Sequence, residues 1–281
     1  MRRLLPALLL AACADPLPPV PDGGLFQPLC FLPADGGVFT TGLPASVPGC
    51  AQPGDAGVFD LHDLGWSIQG GVLFVPPSDP GTPLPVVFGF HGANGTGNAA
   101  RGYFAMEGPA DGGAIFVYPN AVQGTWDIRT NSADGRRVDT LLRLLSQSYC
   151  IDPGRIYITG FSAGAVFTLY LGCNVPGPFR ALASVAGTDH RFDNRCCTGR
   201  ISGIFIHGTQ DGAIPLAQGQ FSRNDLLERD GCSGMSTPVG QYCLDYSCPN
   251  DEDVNYCEWG GDHDVPPWAG QEIWRFFDSQ R

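Results

Sequence analysis

Arg155-Ile-Tyr-Ile-Thr-Gly-Phe-Ser-Ala-Gly164 is the stretch on which the fold turns. Its first half is apolar and β-branched without alternation, the pattern of a strand buried on both faces. From Ala163 to about Cys173 the chain is apolar apart from Thr168, which predicts a buried helix. Between them lies Gly160-Phe-Ser162-Ala-Gly164, a G-x-S-x-G turn. In a chain with 39 glycines the motif alone is weak, and the flanking strand and helix give it meaning. A turn this tight leaves no room for side chains at the two glycine positions that flank it. It lifts the Ser162 hydroxyl off the sheet, and the helix start aims backbone N–H groups at developing negative charge.

Outward from this unit the same alternation continues. Strands are expected at 72–75, 85–90, 114–118, 181–185, 203–206 and 254–259, and helices at 134–148 and 271–278. In the first helix Val138, Leu141, Leu142 and Leu145 share one face. Apolar strands separated by helices imply an α/β protein with a mostly parallel central sheet and helices on both faces. In such sheets chemistry sits at the carboxyl ends of the strands.

A serine hydroxyl is a poor nucleophile unless a base takes its proton and a carboxylate orients that base. On this fold the order is Ser, acid, His. Three histidines follow Ser162. His190 precedes any suitable acid, and His207 ends an apolar strand and reads as core. His263, on the Gly-rich loop Gly260-Gly-Asp-His-Asp264, is the expected base. Asp211 leaves strand 203–206 after a short loop and is the expected acid, against the rivals Asp189, Asp262 and Asp264. Backbone N–H groups of Ala163 and Ala93 are expected to form the oxyanion hole. His91 reads as structural. The loop His91-Gly-Ala-Asn-Gly-Thr-Gly97 also resembles a phosphate cradle, yet it lacks the lysine, and no helix is read after it.

The formal charge of −12 excludes phosphate-backbone binding as the default, so no nucleic-acid partner is expected. Arg2 and Arg3 followed by a short apolar run read as a signal peptide over 1–12, too short to span a bilayer. Leu10-Ala-Ala-Cys13 resembles the lipobox of bacterial lipoproteins, which implies lipidation of Cys13 and a membrane partner at the cell envelope or surface. Without Cys13, ten of the 11 cysteines remain, an even set that reads as disulfides in an exported chain. Neither Cys196-Cys197 nor Cys243 with Cys248 has the spacing of a zinc site, so no metal is expected. Cys30 with Cys50 is the natural local pair. Residues 13–62 form a Pro/Gly-rich N-terminal segment, read as a stalk or a cover for the sheet edge, with a small glycan-binding module as the alternative. Three Asp-Gly or Asp-Ala-Gly pieces in it, at 22–26, 35–39 and 55–59, predict short strands. The catalytic domain is read over 63–281.

His91-Gly92, Val117-Tyr-Pro119, Asp152 to Gly164, Ile206-His-Gly-Thr-Gln-Asp211, Gly260-Gly-Asp-His263 and Trp274-Arg-Phe-Phe277 occur in that order. Together they resemble the esterase family of feruloyl esterases and polyhydroxybutyrate depolymerases, over residues 66–280. The resemblance implies the α/β-hydrolase fold, a triad of Ser162, Asp211 and His263, no cofactor, and hydrolysis of a carboxylic ester through an acyl-enzyme. Cys232, Cys243, Cys248 and Cys257 before the histidine resemble the disulfide-stapled feruloyl esterase side. Asp262 departs from the family, which has glycine there. The implied substrate is an acyl ester on plant polysaccharide; a polyhydroxyalkanoate, or glycan binding without turnover, is the alternative. Trp126 and Trp268 are the loop aromatics expected to contact substrate.

Overall fold

A computed structural model describes residues 47–280, apart from 52, 67–69, 130–131, 174–176, 190–196 and 198–199. The signal peptide, Cys13, Cys30 and most of the N-terminal segment lie outside the described residues. Ten strands form one sheet in the order β1-β2-β4-β3-β5-β6-β7-β10-β9-β8. They are β1 (Gly57–Asp60), β2 (Gly71–Val75), β3 (Leu84–Phe90), β4 (Ile115–Pro119) and β5 (Ile151–Phe161). The rest are β6 (Ala181–Val185), β7 (Ser202–Gly208), β8 (Ser236–Val239), β9 (Cys243–Tyr246) and β10 (Val254–Trp259). From β4 across to β10 every neighbouring pair is parallel, and the strands outside them at both edges are antiparallel.

Helices α3 (Ala133–Ser148), α4 (Ala163–Cys173) and α5 (Leu216–Asp230) pack on one face of the sheet, with Phe88, Phe90, Ile156 and Ile158 pointing into their core. On the other face are α1 (Gly97–Phe104), α2 (Glu107–Ala110) and α6 (Ala269–Ser279), which meet Val87, Phe116 and Tyr157. The alternation along β3 and β5 is the two-residue period of a strand with cores on both faces. The expected face of α3 is buried as predicted, with Val138, Leu141 and Leu145 at 0% exposure.

Three expectations need correction. A helix does follow the His91–Gly97 loop: α1 starts at Gly97, capped by the Thr96 side chain accepting the Ala99 N–H. Gly97 is required there because a Cβ would collide with the Tyr118 carbonyl. Residues 57–60 belong to the main sheet as β1, so the boundary at 62 cuts the sheet's own edge strand from it. Cys50 pairs with Cys150 rather than Cys30, across a sequence separation of 100. The reason is tertiary: the turn at Pro48–Cys50 packs on the end of α3, where a Cβ on Gly49 would collide with the Tyr149 backbone.

Disulfides also join Cys173 to Cys197, Cys232 to Cys248 and Cys243 to Cys257. The last links directly opposed residues of β9 and β10. Among the bridges between described residues, Cys50–Cys150 closes the longest loop and so most restricts the unfolded chain. The Cys50→Ser/Cys150→Ser double variant is expected to lose about 2–5 kcal/mol of stability. A urea midpoint equal to that of the parent would contradict this.

Two acids of α5, the buried Asp230 and the half-buried Asp225, lack full compensation. Burial pushes Asp230 up to about 7, and burial together with neighbouring Asp189 pushes Asp225 up to about 6. Each holds its proton more tightly folded than unfolded. The stability they contribute is therefore full below pH 4 and is lost as pH rises through 6 to 7. Asp230→Asn should flatten the fall in Tm between pH 4 and 8 and raise Tm at pH 8. The same slope in both proteins would sink this assignment.

Candidate active site

The loops that follow the parallel strands converge on one rim. Ser162 stands on the turn between β5 and α4 with φ of 54°, a left-handed conformation that costs a non-glycine residue about 1–3 kcal/mol. Its neighbours explain the motif. A Cβ on Gly160 would collide with the Gly164 carbonyl, and one on Gly164 with the Phe90 carbonyl. The Ser162 carbonyl accepts the Val166 N–H at 3.0 Å, so the helix ladder starts at Ser162. The amides of residues 163–165 precede that first bond and have no helix carbonyl to reach.

His263 sits on the loop after β10. Its Nε2 lies 2.8 Å from Ser162 Oγ and its Nδ1 2.8 Å from Asp211 Oδ2. Its ring is centred 5.0 Å from that of Phe161. Asp211 follows β7, and its side chain is fully buried. Asp211 Oδ1 accepts the N–H groups of Ala213 and Ile214 at 2.9 and 2.8 Å, which leaves Oδ2 for the imidazole. Three N–H groups thus converge on this one carboxylate and fix its orientation toward the imidazole. These three side chains are the ones expected from sequence, and they meet in one hydrogen-bonded line.

The loops carrying acid and base are laced together beyond the ends of β7 and β10. Thr209 N–H donates to the Trp259 carbonyl at 2.8 Å, and Gln210 N–H to Gly261 at 2.9 Å. Asp262, the departure from glycine, adds to this lacing. Its Oδ1 accepts the Gly212 N–H at 3.1 Å and the His263 N–H at 2.8 Å. Those two donors, Gly212 first, hold its carboxyl below the usual carboxylate range. Asp262 therefore ties the loop of the base to the loop of the acid. The departure is visible in the sequence, whereas the bond to Gly212 depends on a partner 50 residues away.

The rivals lie elsewhere. Asp189 accepts the Ser222 hydroxyl at 2.7 Å, under α5. Asp264 caps its own turn through the Val265 N–H. His207 is buried, as expected, with Nε2 at 2.8 Å from the Ile214 carbonyl, so it braces the loop that carries Asp211. His190 lies outside the described residues.

The loop after β3 lies against the nucleophile: a Cβ on Gly92 would come within 3.6 Å of Ser162 Cβ. Ala93 follows on this loop. His91, fully buried, shapes the loop, as its structural reading requires. Burial lowers its pKa, so the imidazole is neutral. Nε2 accepts the Ala121 N–H at 3.0 Å, and Nδ1 donates to the Gly92 carbonyl at 2.7 Å. Tyr103, from α1, adds a partner that sequence gave no signal for: its hydroxyl accepts the Gly92 N–H at 3.3 Å.

Trp126 corrects an expectation. It is 6% exposed rather than an open loop aromatic. Its Nε1 donates to the His91 carbonyl at 2.7 Å, and its ring stacks on Phe167 with centroids 4.9 Å apart. Its main contacts are thus with the core beneath the loop of His91. Trp268 is half-buried after His263, stacked on Tyr242 with centroids 4.7 Å apart. No group of three or more potential metal ligands occurs among the described residues.

Comparisons with known proteins agree with this architecture. A family model described as phospholipase/carboxylesterase matches residues 130–233, which include Ser162 and Asp211. Feruloyl esterase C of Emericella nidulans is 28% identical over 267 residues, spanning 86% of this chain and 94% of that protein. Probable feruloyl esterase C of Aspergillus niger is 26% identical over 257 residues, spanning 83% of this chain and 91% of that protein. Among solved structures, an acetyl xylan esterase from Aspergillus awamori superposes with a TM-score of 0.61 at 16% identity, over 79% of this chain and 99% of that one. With its strand order, its serine turn and these likenesses, the chain has the α/β-hydrolase fold.

Proposed function

We propose that this carboxylic ester hydrolase works through an acyl-enzyme on Ser162, with His263 as base and Asp211 as the acid that orients it, and that its substrates are feruloyl-type esters on polysaccharide. The observation that carries the reading is the unbroken line from Asp211 Oδ2 through His263 to Ser162 Oγ, with 2.8 Å at each junction. Asp211 keeps the proton on Nδ1, so Nε2 is free to accept the serine proton as Oγ attacks the ester carbonyl. The tetrahedral oxyanion then faces the N–H groups of Ala163 and Ala93. The imidazolium protonates the departing alcohol, and a water activated by the same imidazole releases the acid.

The substrate class rests on the feruloyl esterases among the relatives. A panel of methyl ferulate, acetylated xylan and hydroxybutyrate oligomers tests it. Preferred turnover of the hydroxybutyrate oligomers would replace the feruloyl reading with a depolymerase. Binding of glycan with no turnover of any ester would replace it with a binding protein.

Export is part of the same proposal. Four disulfides among the described residues suit an oxidising compartment, and no described helix is long and apolar enough to cross a membrane. Residues 1–12 act as the signal peptide and Cys13 as the lipidated anchor. Cys13→Ala should move the protein from the membrane fraction to the soluble fraction of the producing cells. Unchanged membrane retention would remove the anchor.

A further inference from the structure

A cavity of about 570 Å³ opens beside the loop that follows β4. That volume lies within the range of roughly 300–1,000 Å³ typical of small-molecule sites. Gln123, Thr125, Asp127 and Arg129 supply its polar wall, and Trp126 and Ile128 its apolar one. Amide, hydroxyl, carboxylate and guanidinium groups along one wall, with Ile128 beside them, suit a ligand that is hydroxylated on its edges and apolar on its faces. A sugar ring has that chemistry, whereas a wholly apolar acyl chain does not.

The cavity wall is held in place. Asp134, buried at the start of α3, accepts the Val122 N–H through one oxygen at 2.8 Å and the Asp127 N–H through the other at 2.9 Å. Asp127 in turn accepts two bonds of 2.8 and 2.7 Å from Arg129, whose guanidinium is otherwise exposed.

The wall is also tied to the serine's side of the rim. Asn94 N–H, one residue past Ala93, donates to the Gly124 carbonyl at 2.7 Å. Trp126 and Ala121 bond to His91, at the base of the same loop. In the sheet, β4 lies two strands from β5, a separation of about 10 Å at the usual strand spacing, so the loop that lines the cavity leaves the same end of the sheet as the serine turn.

We propose that this cavity is a carbohydrate subsite, holding a sugar unit of the polysaccharide beyond the one that carries the ester. The inference rests on the ester-hydrolase reading and adds the location of glycan recognition. A sugar whose ester oxygen meets His263 Nε2 leaves the next rings of its chain to extend over the oxyanion loop toward Arg129.

The test compares kcat/KM for a feruloylated arabinoxylo-trisaccharide with kcat/KM for methyl ferulate on the same enzyme. In Thr125→Trp, which narrows the cavity, the ratio should fall at least about tenfold, through KM of the trisaccharide ester. Arg129→Ala should lower it in the same direction. A ratio equal to the parent's in both variants would overturn the subsite. A second arm titrates unferuloylated arabinoxylotriose into Ser162→Ala by NMR, with and without Thr125→Trp. Weakened binding in the double variant supports the site and identical binding overturns it. This arm decides the subsite even if the parent hydrolyses no ester, an outcome that would defeat the catalytic reading alone.

Discussion

Ser162→Ala should lower kcat for p-nitrophenyl acetate by roughly 10,000- to 1,000,000-fold while the protein folds and melts much as its parent does. The loss is large because no other hydroxyl stands on the line from Asp211 through His263. Folding is spared because the glycines on either side, not the hydroxyl, fit the turn between β5 and α4. Ser162 N–H donates to the Val185 carbonyl and its carbonyl accepts Val166 N–H, bonds that alanine retains. Purified variant and parent, compared by initial rates and by thermal melting, decide the matter. A variant with a hundredth or more of parental kcat would place the nucleophile elsewhere.

Asp211→Asn should cost about 10,000-fold in kcat, and by a different route. The asparagine oxygen takes over the Ala213 and Ile214 N–H groups now bonded to Oδ1. Its NH₂ then faces His263 Nδ1, which must accept rather than donate. The ring proton moves to Nε2, directed at Ser162 Oγ, and the imidazole loses its capacity as a base. Because this defect lies in the tautomer rather than in binding, kcat falls while KM stays near the parental value. A KM effect alone, with kcat retained, would contradict the assignment of Asp211. Asp262 is no substitute, since its Oδ1 is already engaged by Gly212 and His263 N–H groups.

Most of the parallel sheet was legible because its strands are continuous apolar runs, and Ser162, Asp211 and His263 because each ends such a run on a short loop. The elements that escaped notice depend on contacts far along the chain. Helix α5 has little apolar periodicity, and its Gly219 reads as a breaker. That glycine is there because a Cβ would collide with the His207 ring. Helix α1 likewise begins with a glycine required by Tyr118. The Cys50–Cys150 bridge spans 100 residues, and nothing local to Cys50 distinguishes Cys150 from Cys30. Trp126 looked like a surface aromatic because its neighbours Gly124, Thr125 and Asp127 read as an open loop. Its burial follows from Phe90 and Phe167, which belong to other elements.

The catalytic assignment makes residue 162 the one hydroxyl activated toward electrophiles. Stoichiometric labelling with diisopropyl fluorophosphate, followed by mass analysis of the peptide between Arg155 and Arg180, measures this directly. One phosphoryl adduct on Ser162, formed quickly by the parent and at least about 1,000-fold more slowly by His263→Ala, is the expected result. An adduct on another residue, or equal labelling rates in the two proteins, would contradict it.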